Sequence, residues 1–129
     1  PFDYQRVVQP VLDAHCVRCH DGKHKRKIDL RGNLDPERIP ESYKTLIRQG
    51  WVHVVDMSYN SGGNEKLAPL TFGTVRSKLI QALEGGHHDV ELTRGEMRRL
   101  KCWIDLNCPL WPDYQFRPDR PGKRLSARD

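Results

Sequence analysis

The chain has 129 residues, 36% of them hydrophobic and 30% charged, and its 22 Lys and Arg outweigh 17 Asp and Glu to give a formal charge of +5. That length is one small domain, and no apolar run approaches the roughly 18 residues that a membrane-spanning helix needs. No charged segment followed by an apolar stretch opens the sequence, so it reads as a soluble, already trimmed chain whose start, Pro1-Phe2-Asp3, suits a mature exported form or an excised domain. So polar a chain has few residues to fill an interior, and a bound group is a natural source of the missing apolar mass.

In chain order, Val7, Val8, Val11 and Leu12 recur at helical spacing from Asp3, a candidate N-cap, to His15, with Pro10 expected to kink the helix or split it in two. Asp21 to Pro40 is basic and rich in turn residues, with Lys23-His24-Lys25-Arg26-Lys27 as a charge run, and is expected to be a solvated loop. Tyr43, Leu46 and Ile47 mark a short helix from Glu41 to Gln49 that ends at Gly50, and Trp51 to Val55 is β-like. A Ser/Gly/Asn-rich loop follows from Asp56 to Gly73, closing with the apolar Leu67 to Phe72. Thr74 is then expected to cap a helix bearing Val75, Leu79, Ile80 and Leu83 and ended by Gly85-Gly86. Thr93-x-x-Glu96 is a capping box, and Met97, Leu100, Trp103 and Ile104 form the stripe of a last helix stopping before Pro109. Residues 1–111 thus form a mostly α domain of about four helices around a cofactor, and 112–129 a Pro/Arg-rich C-terminal arm.

The cysteines name the cofactor. Cys16-Val17-Arg18-Cys19-His20 has the C-x-x-C-H form, in which two thiols about one helical turn apart match the vinyl groups of a c-type haem and the next imidazole is directed at iron. A redox dithiol wants a β-α-β setting, whereas the residues before Cys16 look helical. Zinc could use Cys16, Cys19, His20 and a later Cys, but a partner knuckle is missing because Cys102 and Cys108 are six residues apart. A Cys16–Cys19 disulfide would close a strained loop. Cys102 and Cys108 come within disulfide reach if the last helix ends near residues 105–107 and folds back, and such a bond would persist in the oxidising, extracytoplasmic compartment where haem is attached.

The sixth iron position decides the chemistry, because two strong ligands make an electron carrier and an open side admits small molecules. The candidates are His15, His24, His53, His87, His88, Met57 and Met97. His15 and His24 lie too close in sequence to the motif to reach the opposite face. His87 and His88 follow Gly85-Gly86 on a loop able to bend over a ring, with His87 first in order, Met57 next, and Met97 read as core. Trp51, Tyr59, Phe72 and Trp103 are candidate haem-packing aromatics for which ordinary core packing is the simpler role.

Residues 8–22, with Gly86-His87-His88-Asp89-Val90-Glu91-Leu92 and Arg99-Leu100-Lys101-Cys102-Trp103-Ile104-Asp105-Leu106-Asn107-Cys108-Pro109, resemble the c-type cytochrome domains of planctomycete bacteria. They are similar in particular to the C-terminal haem domain of hydrazine synthase alpha subunits and their non-anammox relatives, a resemblance that runs from about Phe2 to Trp111. It implies a class I-like monohaem cytochrome c domain, with His20 proximal and His87 distal, that transfers electrons within a larger periplasmic or related assembly. The propeller and the catalytic haem domain of hydrazine synthase have no counterpart in these residues, so the resemblance does not extend to hydrazine synthesis.

The expected function is electron transfer by one haem c bound through Cys16, Cys19, His20 and His87, with no side chain doing acid–base work and an acidic redox partner favoured by the basic surface. The alternatives are a five-coordinate haem that binds or converts a small molecule and a structural zinc module. Nucleic acid is a poor match for so modest a positive charge.

Overall fold

The computed structural model describes residues 2–23, 27–54 and 73–112, together with the backbone of 118–120 and 123–124, and the chain in it is mostly helical. The helices are α1 (Tyr4–Val7), α2 (Gln9–His15), α3 (Glu41–Arg48), α4 (Lys78–Glu84) and α5 (Arg94–Asp105). In the C-terminal arm, β1 (Pro118–Arg120) pairs antiparallel with β2 (Lys123–Arg124). Among the described residues no helix is long and apolar enough to cross a membrane.

Asp3 caps α1 by accepting from the Gln5 amide, and the first helix breaks at Val8, just ahead of Pro10, which has no N–H to donate back to the preceding turn. The two pieces expected around Pro10 are therefore α1 and α2. Helix α3 starts and stops close to its expected bounds, and Gly50 at φ +72 reverses the chain behind it. The amides of Trp51 and Val52 then both return to the Leu46 carbonyl at 3.0 and 3.2 Å. This turn replaces the β-like run through Val54, and the apolar Val52 is buried by it rather than by a sheet.

The cap of helix α4 lies three residues after the expected Thr74. Ser77 caps the helix, while Thr74–Arg76 forms a 3-10 turn whose Thr74 amide donates to Asp105 Oδ1 at 3.0 Å, so the turn is moored to the end of α5. Val75 consequently leaves the expected stripe and is 57% exposed. Helix α5 carries both halves of its capping box, from Thr93 and Glu96, and buries Leu100, Trp103 and Ile104 as its 3.6-residue period requires.

The core is Trp103 set among the first helix, α3 and the return of the chain after α5. Its ring lies 5.1 Å from Tyr4 and 6.2 Å from Tyr43, and its Nε1 donates to the Pro109 carbonyl. Asn107 and Cys108 take left-handed φ of 66° and 54°, a costly conformation for residues with a Cβ, which turns Cys108 inward where Tyr43 donates to its carbonyl. Cys108 is buried and Cys102 stands exposed on α5, so both remain free thiols; the foldback expected from the sequence occurs without joining them.

Behind this core runs a buried polar chain. The Tyr4 hydroxyl meets Ser42 Oγ at 2.9 Å, Ser42 Oγ donates to Gln9 Oε1, and Gln9 Nε2 donates to the Leu30 carbonyl at 3.0 Å and to Asp13. Replacing Ser42 by Ala strands Tyr4 and Gln9 and is expected to cost about 1–3 kcal/mol for each group left unpaired, whereas Lys101→Ala, which breaks an exposed pair with Glu84, costs under about 1 kcal/mol. Urea unfolding measures both, and equal costs contradict the buried chain.

Burial pushes the Cys108 thiol up to about 12, so the fold favours its neutral form. That contribution is complete below the ordinary thiol range near pH 9 and is lost as pH rises toward 12. Iodoacetamide at pH 8 should label Cys102 in the native protein and reach Cys108 only after unfolding; equal protection of both would indicate a bond between them.

Candidate functional site

The last turn of α2 runs on into the cysteine motif. The Cys16 amide donates to the Leu12 carbonyl at 2.8 Å, and the Cys19 and His20 amides both donate to the Cys16 carbonyl at 3.1 and 2.9 Å. Cys16, Cys19 and His20 thus share one helix-like turn. Cys16 is half-buried, and burial, followed by the neighbouring Cys19 sulfur, pushes its thiol up to about 11, while Cys19 is exposed.

The basic loop then doubles back over this turn. Gly22 at φ +81 makes the reversal, its amide donating to Ile28 and the Leu30 amide to the His20 carbonyl at 2.9 Å. A Cβ on Gly22 would stand 3.1 Å from the Asp29 carboxylate. That carboxylate takes both Nε and Nη2 of Arg31 at 2.9 and 2.7 Å, and this fork holds it below the usual carboxylate range. Asp21 bridges to Asp29 across the return, and the alternation of the extended backbone sends Ile28 and Leu30 inward together while Asp29 faces Arg31.

Against Ile28 and Leu30 stand Leu46 of α3, Trp51 in the turn after it, and Leu79, Ala82 and Leu83 of α4. Ser77 Oγ and the Leu79 amide both donate to the Trp51 carbonyl, which fastens the start of α4 to that turn. Together with Cys16, His20 and His87 these side chains line an apolar cleft that opens to solvent. The chain leaves α4 through Gly86 at φ +86, which brings His87 over the cleft. The ring centres of His20 and His87 lie 5.9 Å apart, with planes 19° from parallel. His88, exposed and at φ 51°, lies edge-on to His87 at 4.8 Å.

The other candidates fall elsewhere. His15 points to α5, where its Nε2 meets both oxygens of Glu96 at 3.1 and 3.0 Å. His53 is exposed, Met97 packs half-buried against the core, and Trp103 belongs to the core rather than to the cleft lining. Of the candidate aromatics Trp51 lines the cleft. His24, Met57, Tyr59 and Phe72 lie outside the described residues. Among the described residues no group of three His, Cys, Asp or Glu is placed to hold a bare metal ion.

Sequence reasoning missed Ile28 and Leu30, hidden in a loop read as solvated; their i, i+2 spacing was the available signal. It also missed Glu96 as the partner of His15, a contact across 81 residues that no local rule encodes. Comparisons of the chain with protein-family models, with curated proteins and with solved structures found no match.

Glu96 thus does two jobs, accepting from the Thr93 amide within its own cap and from His15 at the end of α2. The Thr93 amide first, and His15 second, hold its carboxyl below the usual range. A carboxyl lowered by folding stabilises above its ordinary range and loses that effect as pH falls through its folded value. Glu96→Gln is expected to lower the urea midpoint at pH 7, with the gap to the parent closing as the solution is acidified; a gap independent of pH contradicts the charged contact.

Proposed function

We propose that the chain is an electron-transfer module that carries one covalently attached haem c, with His20 and His87 as the two axial ligands. The observation that supports this most is the pairing of these imidazoles across an apolar cleft beside the C-x-x-C-H turn. A metal–imidazole bond is about 2 Å and a ring nitrogen sits about 1 Å from its ring centre, so rings on opposite sides of one metal have centres roughly 6 Å apart. The 5.9 Å between His20 and His87 fits that requirement.

The bound haem would supply one-electron ferric–ferrous chemistry. The chain's residues do the rest. The thiols of Cys16 and Cys19 would hold the haem through two thioethers, each S–H adding across one vinyl C=C. His87 would occupy the iron position left by His20, which favours a carrier over a five-coordinate binding domain. Two imidazoles, without a thioether, would keep the potential low. Ile28, Leu30, Leu46, Leu79 and Leu83, which line the cleft, would exclude water from a haem held there.

Arg18, Lys23 and Lys27 are exposed on and just after the motif, and Arg48 and Lys78 stand exposed on α3 and α4 near residues that line the cleft. Such a surface suits an acidic redox partner, with encounter slowed by added salt. Thioether attachment would place the working protein in the periplasm or another extracytoplasmic compartment, as the resemblance to planctomycete cytochrome domains implies.

Expression with a cytochrome c maturation system should yield a red protein whose mass exceeds the polypeptide by one haem, with a pyridine haemochrome spectrum of two thioethers. Cys16→Ser with Cys19→Ser should abolish the covalent mass gain. The reduced parent should leave carbon monoxide unbound and His87→Ala should bind it. A bare polypeptide mass overturns the haem reading, and carbon monoxide binding by the parent overturns the six-coordinate one.

A further inference from the structure

We infer that His88 is a positioning residue that fixes the ring plane of His87, an inference that rests on the haem ligation proposed above. The backbone at His87 is held by the Val90 amide, which donates to the His87 carbonyl at 3.2 Å, but the ring turns about a terminal bond whose preferences are broad and two-fold. Something must choose one plane.

His88 supplies the wall. Its φ of 51° is a left-handed conformation uncommon for residues with a Cβ, and it follows within two residues of Gly86 at φ +86. The consequence of this turn is that consecutive imidazoles meet, with centres 4.8 Å apart and planes at 73°, the edge-to-face arrangement in which a positive ring edge meets a negative ring face. His87 is then left 19° from parallel with His20. Groups behind a metal ligand commonly set its orientation, and here the group is an aromatic edge rather than a hydrogen-bonding carboxylate.

The plane matters electronically. Two nearly parallel imidazoles donate π density to the same iron d orbital and separate it in energy from its neighbour. Crossed imidazoles leave the two orbitals close. Low-spin ferric haem reports the difference directly, as a rhombic electron paramagnetic resonance spectrum for parallel rings and a spectrum dominated by one very large g value for crossed rings.

The experiment uses the haem-loaded protein, its haem content and low-spin optical spectrum checked first, and compares the parent with His88→Ala, His88→Gly and His88→Phe. Ala removes the ring, Gly removes the ring and relieves the backbone, and Phe keeps an aromatic edge without nitrogen. The parent is expected to be rhombic, Ala and Gly to shift toward the large-g form or split into two species, and Phe to restore the parental spectrum. Loss of haem from Ala and Gly with retention in Phe supports the same dependence on a ring edge. The inference is overturned by a parent already of the large-g form, by Ala and Gly spectra that superimpose on the parent, or by a shift or haem loss that Phe does not reverse. A parent that takes up no haem, or binds carbon monoxide, fails at the earlier stage and marks the haem or ligation reading itself as wrong.

Discussion

Gln9 is the side chain through which the parts of this small molecule are held in register. Its amide joins α2 to the Leu30 carbonyl on one side and to Ser42 of α3 on the other, and Ser42 in turn meets Tyr4 of α1. One residue's worth of backbone then separates this chain from the site, because the Leu30 amide donates to the His20 carbonyl. Buried polar groups tolerate little displacement, since a lengthened hydrogen bond away from water leaves its donor or acceptor uncompensated. The loop over the motif is thereby fixed by geometry rather than by bulk, which suits a chain with so little apolar mass. Gly32 shows how close the fit is: a Cβ there would stand 3.0 Å from the Gln9 side chain.

A second tie acts on the other end of the same turn. Glu96, locked in the cap of α5, reaches His15, the residue before Cys16. The cysteine turn is thus gripped at its start by α5 and at its end by the loop, and the imidazole of His20 emerges between two anchored points. The opposite wall is built differently. Helix α4 is fastened through Ser77 and Leu79 to the Trp51 carbonyl, and His87 hangs from it on a glycine turn. On the proposed reading this asymmetry has a use, because a firmly held proximal side can receive the haem covalently while the distal ligand arrives on a shorter, separately set loop.

What could be read from the sequence was whatever depends on near neighbours. The capping box of Thr93 and Glu96, the break before Pro10, the stripe of Leu100, Trp103 and Ile104, and the Gly86 turn are rules of a few residues' range, and the structure has each of them. The nearness of His20 and His87, 67 residues apart in the chain, follows from no rule of near neighbours. Of the misplaced features, two involve distant partners and two a tight local turn. Thr74 lost the helix start because Asp105 took its amide, the apolar run after Trp51 became a turn because Leu46 accepts two amides there, and Ile28 and Leu30 became cleft wall because the loop is pinned by Gln9. Cys102 and Cys108 separated because left-handed backbone at Asn107 and Cys108 carries the second sulfur into the core.

The central claim is that two imidazole nitrogens, from His20 and His87, hold one iron. Near-infrared magnetic circular dichroism of the ferric protein tests this most directly, because the energy of the ligand-to-iron charge-transfer band depends on the identity of the axial pair. Bis-histidine ligation predicts the band of an imidazole–imidazole pair, lost on His87→Ala and retained on Met57→Leu. A band of the imidazole–thioether type, or one indifferent to His87, would contradict it.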